Sequence, residues 1–190
     1  MSRKIVIIGA GGVGREIAAT LMHKDFEDIQ VTGFIDDNKQ QGTVINNLTV
    51  LGDLDWLITA SGNYEIVLAI GNPQLRKKII ERLGNDFSYP TIIHPNVSIH
   101  NEGTVNIGYG CYIGDGCIFT TDIIIEDSCF INTGCSLQHD TVIKVNSVLM
   151  PGVRITAGAT IGRNCFVATN CVISKTIEIE DNTVITESIR

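Results

Sequence analysis

Four histidines, six cysteines and one glycine cluster are the residues of this 190-residue chain whose types could carry chemistry. His139 is followed directly by Asp140. An imidazole is the natural group to take a proton from an attacking amine or hydroxyl near neutral pH, as acyl transfer from a thioester requires. A carboxylate beside it can orient the ring and stabilise the imidazolium. His23 and His100 read as solvated surface residues, and His94, which precedes Pro95, as a structural one. The glycine cluster is Gly9-Ala10-Gly11-Gly12-Val13-Gly14. Such a loop can bring phosphates to a helix N-terminus, with Asp36, 22 residues past Gly14, placed to meet a ribose.

What holds these residues in place is a repeat. Stepping by six from Ile107 to Ile185 meets only Ile, Leu, Val or Phe at all fourteen positions. Three residues after each anchor stand mostly Gly, Asn, Asp or Ser, types suited to a left-handed corner. This is a hexapeptide β-helix, three hexads to a triangular coil of 18 residues, so residue n stacks on n+18. It begins near Ile92, carries a two-residue insertion around Asn101–Thr104, and makes about five coils. His139 falls two residues after its anchor, where a side chain projects from the coil. Ala157 follows one coil later, and its N–H is a donor for a thioester oxygen. Lys175 is two coils beyond His139, and Arg163 and Lys144 are near in this map; they are either ordinary surface charge or candidates for the phosphates of a ligand. The six cysteines all fall four residues after an anchor, where small side chains are wanted. Their spacing matches no zinc pattern, so buried thiols and no metal are expected.

The segment before the repeat is α/β. Lys4–Ile8 reads as a buried strand, then the glycine loop and a helix through Val13, Ile17, Ala18 and Leu21. Val31–Ile35 is a second strand ending in Asp36-Asp37. Gly52–Leu57 starts a short helix, and Ile66–Ile70 is a third strand. Asn72 caps a helix that opens at Pro73 and closes at Gly84. The expected architecture is therefore α/β plus all-β: residues 1–88 a small Rossmann-like domain, residues 89–190 the β-helix. About 88 residues are too few for two mononucleotide halves, so Gly9, Gly11, Gly12 and Gly14 are expected to meet a mononucleotide or nucleotide sugar.

The composition is apolar (44%) and acidic, with 14 basic against 21 acidic residues and a net charge of −7. Without a basic run, nucleic acid and anionic membranes are unexpected partners. No apolar stretch is long enough for a membrane span, and the start has no signal-peptide layout, so a cytoplasmic protein is expected.

The glycine loop, Gly-Phe-Ile-Asp-Asp at 33–37, Ala-Ile-Gly-Asn at 69–72, Ile-Asn-Thr-Gly at 131–134 and Gln-His-Asp at 138–140 together resemble the sialic-acid O-acetyltransferase/UDP-4-amino-sugar N-acetyltransferase family. The resemblance implies a left-handed β-helix and a homotrimer with sites between neighbouring β-helices. It also implies acetyl-CoA as donor and a sugar or nucleotide-sugar acceptor held partly by the N-terminal domain. By the same resemblance Asp36 and Asp37 contact the nucleotide, Gly71 and Asn72 belong to the acceptor site, Asn132 and Thr133 meet acceptor or acetyl group, and His139 is the catalytic base with Asp140 behind it. Aliphatic residues after the corners, such as Ile118 and Ile124, also argue for a trimer, since five coils cannot hide them all from water.

The chain departs from the family at Val13 and Val148, where many members have histidine, and at Thr186-Glu187-Ser188 in place of a Gly-x-Pro-Ala-type tail. Two further readings stay open: an O-acetyltransferase of the sialic-acid type, and a non-catalytic trimer that binds a nucleotide sugar. An NAD-dependent oxidoreductase stands third.

Overall fold

The computed structural model describes residues 2–60, 64–174 and 176–189. It divides into two compact units: Met1–Ile70 with Lys78–Pro90, and Gly71–Lys77 with Thr91–Arg190.

The first unit is built on a five-stranded sheet. β1 (Arg3–Ile8) leads through the glycine loop into α1 (Gly12–Leu21), then β2 (Ile29–Ile35). β3 (Val44–Ile45), β4 (Leu48–Gly52), α2 (Leu54–Thr59) and β5 (Glu65–Leu68) follow. The spatial order is β3-β4-β2-β1-β5, parallel except for β3. Val6, Ile8, Ile35, Leu57 and Leu68 pack with Ile79 and Leu83 from α3 (Pro73–Leu83) into one core. The cap expected for α3 is present: Asn72 Oδ1 accepts from Leu75 N at 2.9 Å, and Gly84 follows the helix at φ +61°.

One expectation needs correction. Gly52 does not start a helix; it ends β4, and α2 begins at Leu54. Asn46 and Asn47, at φ 47° and 65°, turn the chain tightly between β3 and β4, and parallel pairing of Val50 with Phe34 and of Gly52 with Ile35 carries the strand up to Gly52. Asp53 then caps α2 by accepting from Trp56 N at 2.8 Å.

The second unit is a left-handed parallel β-helix. Its three faces are sheets of six, five and five strands. The first face contains Ile92–Ile93, Phe130–Ile131, Val148–Leu149 and Phe166–Val167. The second contains Ile118–Phe119, Ser136–Leu137 and Arg154–Ile155, and the third Ile123–Ile125, Val142–Ile143 and Thr160–Ile161. Leu137 pairs with Ile155 and Ile143 with Ile161, the 18-residue register; Ile99 pairs with Phe119, which places the two-residue insertion between Ile99 and Ile107. The anchors fill the centre of the coils. Non-glycine corners, Asp140, Asn146, Asn164 and Asn182 among them, hold φ between 54° and 62°, where Asn and Asp are better tolerated than other side chains.

All six cysteines are buried and unbridged. Cys117 Sγ donates to the Asn132 carbonyl at 3.1 Å and Cys135 Sγ to that of Met150 at 3.3 Å. Burial pushes the Cys129 thiol well up, and its hydrogen bond with Cys111 adds to this. Thiols buried out of reach of a solvent-borne reagent react slowly. Native protein treated with iodoacetamide is therefore expected to keep its mass, and protein in denaturant to take up six adducts. Rapid labelling of Cys129 or Cys135 in the native state would show the corners to be open.

Candidate functional site

In the first unit the glycine loop is shaped by two of its members. Gly9 has φ +102°, and a Cβ on Gly14 would run into the Gly9 carbonyl oxygen. Gly14→Ala is accordingly expected to destabilise this unit by about 1–3 kcal/mol, read as a lower thermal midpoint; an unchanged midpoint would show that the loop can move aside. Gly11 has nothing within 4 Å of a built Cβ, and Gly12 only Arg15 Nη2 at 3.9 Å. Packing gives no reason for glycine at these two positions. Asp36 uses both carboxylate oxygens on backbone: Oδ2 accepts from Ala10 N at 2.8 Å and Oδ1 from Asn38 N at 2.9 Å. Asp37 Oδ1 accepts from Leu54 N at 2.9 Å. Both aspartates line a small cleft with Lys39, Gln41, Asp53 and Trp56. His23 accepts from Asp25 N and is a surface residue.

In the second unit, the corner between the second and third faces carries His139. Its position two residues after anchor Leu137 turns the imidazole outward, 56% exposed, with Asp140 at 67%. His139 Nδ1 stands 2.7 Å from Asp140 Oδ2. With Nδ1–H donating to the carboxylate, the Nε2 lone pair is left to take a proton. An ion pair this exposed adds little to stability, so its consequence is orientation of the ring.

Ala157 lies directly on His139 in the next coil, where Gly158 N donates to the His139 carbonyl at 3.0 Å. At the same repeat position, the N–H groups of Tyr109, Thr133, Val145 and Arg163 each find a side-chain oxygen, whereas those of Asp115, Asp127, Thr169 and Asp181 find no protein acceptor among the described residues. The Ala157 N–H donates to no protein acceptor among the described residues. Lys175 lies outside the described residues.

The other expected groups stand on different corners. Asn132 is buried at the corner between the first and second faces, with Oδ1 accepting from Thr133 N at 2.7 Å, and Thr133 is exposed. Arg163 is on the corner between the third and first faces, 3.9 Å from Glu126, and Lys144 there pairs with Glu178 at 3.2 Å. Six residues along the chain is a third of a coil, so nearness in sequence puts Arg163 and Ala157 on separate edges. His94 accepts from Asn96 N and faces Asp115 at 3.3 Å, in keeping with a structural residue. Val148 is fully buried.

Gly71 and Asn72 border a cavity of about 450 Å³ that the sequence did not reveal. Met150, Phe166 and Val184 wall it from the first face, with Asn164 and Asn182 at the adjoining corner. Among the described residues no group of three or more metal-ligating side chains occurs, and no helix is long and apolar enough to cross a membrane.

Residues 4–83 match the family described as the PglD N-terminal domain, and residues 140–175 that of the bacterial transferase hexapeptide (six repeats). Among solved structures the chain is similar to the acetyltransferase domain of PglB from Neisseria gonorrhoeae FA1090 (23% identity, TM-score 0.84, covering 100% of this chain and 94% of that one). It is also similar to PerB from Caulobacter crescentus in complex with CoA and GDP-perosamine (23% identity, TM-score 0.77, 98% and 90% coverage). These likenesses show that the two-part fold is shared.

Proposed function

We propose that the protein is an acetyl-CoA-dependent acetyltransferase acting on a sugar, a nucleotide-linked amino sugar first, with His139 as general base. The observation that carries this is one corner of the β-helix: a carboxylate-oriented imidazole with, stacked on it, the Ala157 N–H, which has no acceptor among the described residues. A base for the nucleophile and a fixed donor for the oxyanion are what thioester acyl transfer requires. The similar PglB domain has been solved with acetyl coenzyme A and PerB with CoA and GDP-perosamine, which supports the same donor and acceptor class here.

In this reading the acceptor nitrogen attacks the acetyl carbonyl carbon while His139 Nε2 takes its proton. Asp140 stabilises the imidazolium, and the Ala157 N–H stabilises the charge that develops on the carbonyl oxygen. The C–S bond then breaks, and the CoA thiolate recovers the proton from His139. Gly11 and Gly12, bare without a packing reason, let phosphates approach the start of α1. Asp37 keeps one carboxylate oxygen for the nucleotide, without a backbone partner among the described residues, while Asp36 acts by holding Ala10.

A trimer completes the proposal. Ile118 (42% exposed) and Ile124 (46%) lie on the two faces that meet at the His139 corner. Packing those faces against neighbours would cover them and bring other corners, with Asn132, Thr133 and Arg163, towards the His139 of the next protomer. Ile118→Lys is expected to reduce the mass by light scattering to about that of one 20.6 kDa chain. A wild-type mass of one chain at low micromolar concentration would overturn the assembly.

The activity is tested by incubation with acetyl-CoA and a panel of UDP- and GDP-linked 4-amino sugars, with free sialic acid alongside, read by product mass. Gain of one acetyl group on a nucleotide amino sugar is expected. Acetylation of sialic acid alone would move the assignment to the O-acetyltransferase reading.

A further inference from the structure

The cavity beside Gly71 has a polar edge whose orientation is set from inside the protein. Arg76 is 1% exposed, its guanidinium 5.6 Å from the centroid of the Phe130 ring. Burial lowers its pKa to about 10, which leaves it cationic at neutral pH. Its Nε donates to Asn146 Oδ1 at 3.2 Å and its Nη2 to the Ser128 carbonyl at 2.7 Å. A guanidinium only donates, so Asn146 must turn its oxygen inward and its Nδ2 outward. That Nδ2 donates to the Pro73 carbonyl at 2.8 Å and to Asn164 Oδ1 at 2.9 Å. Asn164 Nδ2 donates in turn to Asn182 Oδ1 at 3.3 Å, which also accepts from Gln74 Nε2 at 3.2 Å.

The series ends at the cavity with Asn182 Nδ2 as a donor and Gln74 Oε1 as an acceptor, side by side, with no partner for either among the described residues. Beside them lies the apolar wall of Met150, Phe166 and Val184. A purely aliphatic ligand would leave both amides unpaired. A phosphate is no better matched, because among the described residues no lysine or arginine lines the cavity. A planar heteroaromatic ring with an acceptor next to a donor satisfies the wall and the edge together.

We propose that this cavity is a nucleobase subsite, read by Asn182 and Gln74 at its edge and by Phe166 on its face. Which nucleotide brings the base rests on the acetyltransferase reading: the nucleotide of the acceptor or the adenosine of CoA.

Calorimetric titration with UDP, GDP and CoA separates these sources. Asn182→Asp keeps a residue that accepts the φ of +62° and the two incoming hydrogen bonds, but replaces the outward donor by an acceptor. Asn182→Asp and Phe166→Ala are each expected to weaken binding of one of the three ligands by about tenfold or more, with the thermal midpoint of Asn182→Asp unchanged. If that ligand is UDP or GDP the base is the acceptor's; if it is CoA, the donor's. Should Phe166→Ala fail to fold, Asn182→Asp decides alone. The subsite is overturned if the folded variants bind all three within about twofold of wild type, or if wild type binds none at millimolar concentration. Unaltered binding in the variants with acetyl transfer intact in wild type sinks the subsite alone. A tenfold loss in a protein that transfers no acetyl group sinks the acetyltransferase reading alone.

Discussion

His139→Asn is expected to lower turnover about a hundredfold to ten-thousandfold while leaving the affinity for acetyl-CoA little changed, because a general base acts in the transition state. The substitution keeps a polar side chain on an exposed corner, so the fold should be unaffected and the loss attributable to the missing proton acceptor. Asp140→Asn should give a smaller loss. Asparagine tolerates the corner φ of +59°, so the corner survives, but the Nδ1 partner loses its charge. A hydroxyl acceptor should suffer more from His139→Asn than an amine, which can first lose its proton to solvent. Steady-state kinetics on one acceptor check all of this. Near wild-type turnover in His139→Asn would assign proton removal to solvent or to another residue.

The largest effect on stability is expected one coil earlier. Phe119 points into the β-helix with no exposure, stacked between Ile99 and Leu137, and Phe119→Ala should cost about 3–5 kcal/mol. That is a large share of the roughly 5–15 kcal/mol that holds a typical domain together. Ile118, the adjacent residue, points the other way, and Ile118→Ala should change protomer stability by less than about 1 kcal/mol while weakening self-association. Denaturant unfolding of the two variants measures the contrast. Equal losses would mean that the two residues do not face opposite sides of the strand.

That contrast shows why so much of the β-helix is legible in the sequence. Each coil repeats the same three decisions, an inward anchor, a small residue beneath it and a corner that takes positive φ, and errors would appear as broken columns. Ile155 and Asn146 could be placed by counting alone. The β3–β4 hairpin is less visible, because strands of two and five residues carry little periodicity and the turn signal is only Asn46-Asn47. Arg76 was invisible for a different reason. On a helix with Lys77, Lys78 and Arg82 it reads as one more solvated charge, and its burial depends on Ser128 and Asn146, 52 and 70 residues away. The ladder of Asn146, Asn164 and Asn182 did leave a trace, three asparagines at 18-residue spacing on one corner. Asparagine there also has a purely local explanation, the left-handed corner, and the sequence does not separate the two.

The sequence placed His139 and Asp140 together correctly because they are adjacent, and Ala157 because it is one coil away. Within one protomer Arg163 stands on a different edge from Ala157, a separation that the linear sequence does not display. On a triangular coil, six residues move a side chain to the next edge.

The most direct test of the central claim is a time course of free thiol from acetyl-CoA, with and without a nucleotide-linked amino sugar. Thiol release that needs the acceptor and equals the acetylated sugar formed is the predicted result. A nucleotide sugar that binds by equilibrium dialysis while no thiol is released would contradict it and leave a non-catalytic binding protein.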